Sequence, residues 1–135
     1  MTELLLMHGT CACKAQQIRK TGFYADSYFT DDSDIALYYG EVAADECLSG
    51  CDGYLVLGVV IPTATLKVDY NSYDEPLTYF RDRFAACDRQ WHAMLVSGDI
   101  PYPTDARDHK TSLAVVNAVQ CDVALPISVL RAYDD

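Results

Sequence analysis

The sequence has few basic residues, and they are not clustered. Ten lysines and arginines stand against twenty aspartates and glutamates, so the formal net charge is −10, and no basic cluster extends beyond Arg19-Lys20. Because an acidic surface repels phosphate backbones, we expect no direct binding to nucleic acid. The charge suits docking on a basic partner, such as a nucleic-acid-binding protein. The alternative is that the acidity only keeps the domain in solution.

Long apolar runs and an export signal are also lacking. No apolar run approaches the length that crosses a bilayer, and Met1-Thr2-Glu3 lacks the basic start of a signal peptide. We therefore expect a cytoplasmic protein without membrane contact. With 135 residues, of which 50% are hydrophobic, the chain is expected to form one domain spanning residues 1–135.

The sequence contains six cysteines, at positions 11, 13, 47, 51, 87 and 121. Without an export signal, we expect reduced thiols rather than disulfides. The spacings Cys11-x-Cys13 and Cys47-x-x-x-Cys51 differ from the two-residue spacing typical of zinc knuckles, so no metal is expected. No sequence feature marks one of the thiols as an activated nucleophile.

The stretch from Ser27 to Gly40 contains the clearest local pattern. It predicts a short strand, a turn at Asp31 or Asp32 as N-cap, and a helix from about Ser33. Helical spacing puts Tyr39 on an apolar stripe that faces Tyr28. Two such rings form a slot for a flat cationic ring. The alternative is that both tyrosines are core residues.

The segment Leu4 to Thr10 predicts a buried strand that carries His8 and, next to it, a glycine whose backbone can approach a ligand. The chain thus contains His8-Gly9-Thr10, then Tyr28-Phe29-Thr30-Asp31, then Ala36-x-x-Tyr39. With these motifs, the first half of the chain resembles the ADP-ribosyltransferase superfamily, in its His-Tyr-Glu branch of diphtheria-type toxins and poly-ADP-ribose polymerases.

The resemblance implies an α+β fold, a split β-sandwich with flanking helices, and NAD⁺ as substrate. It implies that Tyr28 and Tyr39 clamp the nicotinamide, that the backbone of Gly9 and Thr10 borders it, and that His8 holds a ribose hydroxyl. It further implies a mono-ADP-ribosyltransferase that modifies a protein acceptor. The small size and acidity are similar to those of phage-type intracellular effectors, whose acceptor would be a host protein.

The sequence departs from the family in its last third, where no glutamate follows Glu75. The nearest equivalent of the family's late catalytic glutamate is Gln120-Cys121-Asp122, in which residues 120 and 122 share one face of a strand. We therefore expect Asp122 to be the catalytic acid beside His8 and Tyr39, with Gln120 as its neighbour. The alternative is a solvated aspartate on an edge strand.

Other functions stay open at this stage. The missing late glutamate favours a binding or inhibitor protein that keeps the fold without turnover. An NAD⁺ glycohydrolase that needs no acceptor is a second alternative, and an unrelated α+β domain is a third. None of these readings predicts the oligomeric state.

Several further elements are expected from the pattern. We expect a helix over residues 12–20 with Gly22 as its C-cap, a buried strand over 54–61 and a second strand over 63–70. A helix is expected over 76–87, a polar loop over 98–110, and closing strands within 113–127.

Overall fold

The centre of the fold is one antiparallel sheet of six strands, in the order β4-β5-β2-β1-β3-β6. The structure is a computed structural model, which describes residues 2–48, 50–51 and 53–131. The strands are β1 (Glu3–Cys11), β2 (Ser27–Thr30), β3 (Tyr54–Pro62), β4 (Leu66–Val68), β5 (Ala118–Cys121) and β6 (Leu130–Arg131). The α+β class is thereby confirmed.

Within the described ranges, six helices connect the strands: α1 (Ala12–Thr21), α2 (Ser33–Asp45), α3 (Tyr70–Asp74), α4 (Thr78–Arg81), α5 (Asp88–Ser97) and α6 (His109–Val116). Short 3-10 turns precede β4 (Thr63–Thr65) and β6 (Ile127–Val129). None of the helices in the described ranges has both the length and the apolar character needed to cross a membrane.

Two hydrophobic clusters stabilise the fold. The first joins α1 to β1, β3 and the middle of the sheet, and contains Ala15, Ile18, Phe23, Phe29, Leu6, Leu57, Val59 and Ile61 among others. The second lies among the helices α3, α4, α5 and α6. It includes Tyr73, Phe80, Trp91, Ile100, Val115 and Val116. Burial of these side chains supplies the main driving force for folding.

Strand β1 is paired very unequally with its two neighbours. It pairs with β3 over nine residues, from Glu3 opposite Pro62 to Cys11 opposite Tyr54. With β2 it shares a single residue pair in the described chain, Met7 opposite Thr30. The sheet therefore divides between β1 and β2 into two three-stranded halves.

The predicted helix boundaries near the N-terminus are confirmed. Helix α1 ends at Gly22, whose φ of 82° favours glycine and whose N–H donates to the Ile18 carbonyl at 2.7 Å. Helix α2 begins at Ser33, because the Asp32 carboxylate accepts hydrogen bonds from the N–H groups of Asp34 and Ile35. These ends depend on local hydrogen bonds that the sequence pattern already indicates.

Later elements differ from the expectations. The strand predicted over 63–70 is reduced to β4, and the helix predicted over 76–87 is reduced to α4. Phe80 and Ala85 both lie in the second cluster, and a spacing of five residues would put them about 140° apart on one continuous helix. The chain therefore leaves the helix after Arg81 so that both side chains reach the core.

The expectation of closing strands within residues 113–127 is confirmed by β5, but the first part of this range is helical. Residues 113–116 belong to α6, because the Asp108 side chain accepts a hydrogen bond from the Thr111 N–H and starts a helix there. Asn117, with φ 53°, ends this helix in the left-handed region. Only then does β5 begin.

Helix α2 lies unusually close to β1 at Gly9. A Cβ atom on Gly9 would lie 1.7 Å from the carbonyl oxygen of Ala36 and 2.9 Å from the nitrogen of Gly40. Ala36 and Gly40 are one turn apart and both are buried, so small residues on both elements permit the contact. The position of α2 over β1 therefore depends on the absence of a side chain at Gly9.

Gly9→Ala is expected to destabilise the protein by at least about 1–3 kcal/mol, because the added methyl group meets helix backbone that cannot rotate away. Thermal or urea unfolding followed by circular dichroism measures the change. Gly53→Ala is the matched control, since a Cβ there meets nothing within 4 Å. Equal loss of stability in the two variants would contradict the close packing described above.

Candidate functional site

A cavity of about 460 Å³ lies where β1 and β2 separate. This volume falls within the range of roughly 300–1,000 Å³ that is common for small-molecule sites. Its walls come from β1, β2, helix α2 and the segment that follows β4. The lining residues are Met7, His8, Gly9, Tyr28, Phe29, Thr30, Tyr39, Val42, Ala43, Glu46, Asp69, Asn71, Ser72, Glu75 and Ala118.

His8 bridges the two strands at the point where they part. Its Nδ1 lies 2.7 Å from the carbonyl oxygen of Tyr28, and its ring contacts Phe23 and Phe29 with centroid distances of 5.1 and 5.5 Å. The carbonyl can only accept, so Nδ1 carries the proton and donates. The His8 side chain thus bonds a β2 carbonyl beyond the last backbone pair between β1 and β2.

The environment of His8 favours the neutral ring. Burial lowers its pKa from 6.5, partly offset by the hydrogen bond to Tyr28, and Lys14 lowers it further. A neutral imidazole that donates through Nδ1 leaves Nε2 as an acceptor. His8, one of the residues that line the cavity, therefore carries an acceptor nitrogen at Nε2.

Tyr28 and Tyr39 line the same cavity and are partly exposed, at 40% and 39%. The Tyr28 hydroxyl accepts a hydrogen bond from Asn71 Nδ2 at 2.6 Å, which links β2 to α3. Burial and the nearby Asp69 raise the pKa of Tyr39, with the Ser72 hydroxyl partly offsetting the change. The raised pKa keeps Tyr39 a neutral phenol, and both tyrosines border the cavity.

Asp69 is an acidic lining residue that the sequence analysis missed. It is only 4% exposed, and its carboxylate accepts hydrogen bonds from the Ser72 N–H at 3.1 Å and the Ser72 hydroxyl at 2.8 Å. The Ser112 hydroxyl accepts from the Asp69 N–H and donates to the Ala118 carbonyl. Burial raises the pKa of Asp69, against the effect of these hydrogen bonds.

Two further carboxylates, Glu46 and Glu75, line the cavity from exposed positions. Sequence reasoning missed them too. The available signal was weak: Asp69 and Ser72 form an N-cap pattern, which indicates a helix start and not a ligand site. Placement of Asp69 in the cavity requires the contact with Ser112, which is 43 residues away.

The remaining predicted site residues lie outside the set that lines the cavity. Thr10 is buried opposite Leu55, on the face of β1 that carries His8. Gln120 pairs with Tyr28 across β2 and β5 and shares its face, but its amide donates to the Asp26 carbonyl. The structure therefore brings together His8, Gly9, Tyr28 and Tyr39, without Thr10 and Gln120.

Asp122 also lies away from the cavity. It follows the end of β5, four residues or roughly 13 Å along the chain from the lining residue Ala118. Its carboxylate forms an ion pair with Arg107 and accepts a hydrogen bond from the guanidinium group. This hydrogen bond lowers the pKa of Asp122. The acids that line the cavity with His8 and the two tyrosines therefore do not include Asp122, because β5 carries that residue past the opening between the strands.

No protein-family model matches the chain, and comparisons with curated proteins and with solved structures found no match.

His8→Gln is expected to reduce the loss of stability on acidification between about pH 7 and pH 5. The pKa of His8 in the folded protein lies below its ordinary value, so on acidification the unfolded chain binds the proton first. The free energy of unfolding of the wild type therefore decreases as the pH decreases, by at most about 1.4 kcal/mol per pH unit. Urea unfolding at several pH values measures this slope. The exposed His92→Gln is the comparison, and identical slopes for wild type and His8→Gln would contradict the burial effect.

Proposed function

We propose that this protein binds NAD⁺ in the cavity between β1 and β2 and transfers its ADP-ribosyl group to a protein acceptor. The observation that carries the proposal is the convergence of His8, Gly9, Tyr28 and Tyr39 on one cavity. These residues come from three segments, and they are residues to which the family resemblance assigns NAD⁺ binding. The division of the sheet between β1 and β2 also suits the split β-sandwich of that family.

The proposed binding mode follows from the chemistry of the walls. The nicotinamide ring of NAD⁺ is flat and cationic, and the faces of Tyr28 and Tyr39 attract such a ring. The free Nε2 of His8 accepts a hydrogen bond from a ribose hydroxyl and orients the sugar. The backbone of Gly9, against which α2 packs, forms part of the cavity wall.

The proposed reaction breaks the bond between C1′ of the ribose and the nicotinamide nitrogen. The bonding electron pair leaves with nicotinamide, which becomes neutral, and an acceptor lone pair forms the new bond to C1′ while the acceptor loses its proton. A carboxylate near the ribose stabilises the cationic transition state. In this protein Asp69 is the buried acid of the cavity, and we assign this role to it in preference to Asp122.

The proposed acceptor is a protein with a basic surface, such as a nucleic-acid-binding host protein. The net charge of −10 supports this class, because opposite charges increase the rate of encounter. A nucleic acid itself would be repelled.

A second function is favoured by the hydrogen bonds of Asp69. Its carboxylate is already bonded by Ser72, and the expected acid Asp122 is paired with Arg107. These contacts are compatible with a binding or inhibitor protein that holds a ligand without turnover. An NAD⁺ glycohydrolase, which transfers the ADP-ribosyl group to water, differs from the proposed activity only in its acceptor.

Purified protein incubated with labelled NAD⁺ and a host lysate is expected to label a protein band. Asp69→Asn is expected to lower the rate by about 10²–10³-fold, as loss of a transition-state charge partner does.

Tyr39→Leu is expected to weaken NAD⁺ binding about 3- to 30-fold through the lost cation–π contact. Asp122→Asn is expected to retain transfer, since its carboxylate lies outside the cavity.

Matched controls use residues of the same type away from the cavity, namely Asp45→Asn at the end of α2 and Tyr24→Leu, which is 66% exposed. Nicotinamide release without a labelled band would replace the transferase with a glycohydrolase. NAD⁺ binding by calorimetry without release would support the binding protein. Folded protein that neither binds nor cleaves NAD⁺ would overturn the proposal.

A further inference from the structure

Four cysteines from two separate segments, the β1–α1 junction and the connection between α2 and β3, meet at one end of the sheet. Cys11 ends β1, Cys13 lies in the first turn of α1, Cys47 follows α2, and Cys51 precedes β3. The sulfur atoms of Cys11, Cys47 and Cys51 all lie within 4.8 Å of one another. A three-residue group of thiols is therefore already assembled by the fold.

Cys13 lies beside this group, although its sulfur is not one of the three that lie within 4.8 Å of one another. Its backbone N–H donates to the Cys51 sulfur at 3.3 Å, and its thiol interacts with those of Cys51 and Cys47. Cys11, Cys13, Cys47 and Cys51 thus form one cluster, which we call the cysteine cluster. The remaining two cysteines, Cys87 and Cys121, lie elsewhere in the sequence and the fold.

The backbone around the cysteine cluster suits metal-bound thiolates. The N–H group of Cys13, at the start of α1, donates to the sulfur of Cys51 at 3.3 Å. The positive end of a helix dipole and N–H donors both stabilise negative charge on sulfur. The Ala12 N–H also donates to the Gly53 carbonyl at 2.9 Å, which fixes the end of the Cys51 loop to α1.

The spacing of the sulfurs fits a tetrahedral site. With zinc–sulfur bonds of about 2.3 Å, sulfurs at the corners of a tetrahedron lie about 3.8 Å apart, within the limit observed for three of the thiols. Four thiolates around one zinc ion would leave no open position for substrate, which is characteristic of structural zinc. Disulfides would instead use the same sulfurs in pairs at about 2.05 Å.

We propose that the cysteine cluster binds one zinc ion with Cys11, Cys13, Cys47 and Cys51 as its four ligands. On binding, each thiol releases its proton to solvent and no electron is transferred. The ion joins the end of β1 and the start of α1 to the chain that follows α2. Because Glu46, next to Cys47, lines the cavity, the site also holds that wall in place.

The test measures metal content in the full chain, purified without chelators and without a metal-affinity step. Elemental analysis by mass spectrometry is expected to find about one zinc ion per chain in wild type. Cys13→Ser and Cys51→Ser are expected to lose most of this zinc. Cys87→Ser, an exposed cysteine outside the cluster, is the matched control and should retain it.

A second measurement, on the wild type, tests the proposal even if the cysteine variants do not fold. Wild type stripped of metal is titrated with Co²⁺, and thiolate-to-cobalt charge-transfer bands with tetrahedral ligand-field absorption are expected. Thermal unfolding of the stripped protein should shift to higher temperature when Zn²⁺ is added and not when Mg²⁺ is added. Absence of bound metal together with no cobalt spectrum would overturn the proposal.

Two other results would also overturn it. Iron in place of zinc, with the absorption of an iron–sulfur cluster, would assign the four thiolates to a different cofactor. A disulfide among the four cysteines in freshly purified protein, seen by peptide mass spectrometry, would assign them to a covalent crosslink. Each outcome is independent of whether the protein acts on NAD⁺.

Discussion

The separation of β1 from β2 after one backbone pair is the constraint on which the cavity depends. If pairing continued beyond Met7 and Thr30, the two strands would close and leave no space between them. The His8 side chain instead takes the carbonyl of Tyr28 as its acceptor. A side-chain hydrogen bond thus replaces a backbone one, so the strands can diverge without leaving that carbonyl unsatisfied.

The opposite wall depends on the distance between α2 and β1. Gly9, Ala36 and Gly40 allow helix backbone to lie directly against strand backbone. At about 100° per residue, Tyr39 lies between Ile35 and Ala36 on the same side of α2, and it lines the cavity. The close packing of α2 on β1 therefore places the Tyr39 ring next to the strand.

Asp69, the buried acid of the cavity, is positioned by residues from distant segments of the chain. Burying a carboxylate such as Asp69 costs free energy unless hydrogen bonds compensate it, and here the Ser72 backbone and hydroxyl compensate only part of the cost. Ser112 connects the Asp69 backbone to β5. The acid is consequently held rigidly beside the aromatic residues, an arrangement that suits both ligand positioning and charge stabilisation.

The sequence by itself determined the features that depend on neighbours along the chain. The start of α2 at the Asp32 cap, the end of α1 at Gly22 and the buried strand β3 all follow from local hydrogen bonds or apolar runs. The sequence also indicated His8, Gly9, Tyr28 and Tyr39 as candidate ligand-binding residues. Only the tertiary structure decided that these four share a cavity, and that Asp69 lies in it while Asp122 does not.

The same distinction applies to the four cysteines, whose spacing along the chain is unlike a zinc knuckle although their sulfurs are close in space. The physical reason is that caps and amphipathic faces depend on residues up to about four positions apart, whereas strand order and helix packing join residues tens of positions apart. Pairing of β5 with β2, and of α2 with β1, carries the information that no local pattern contains.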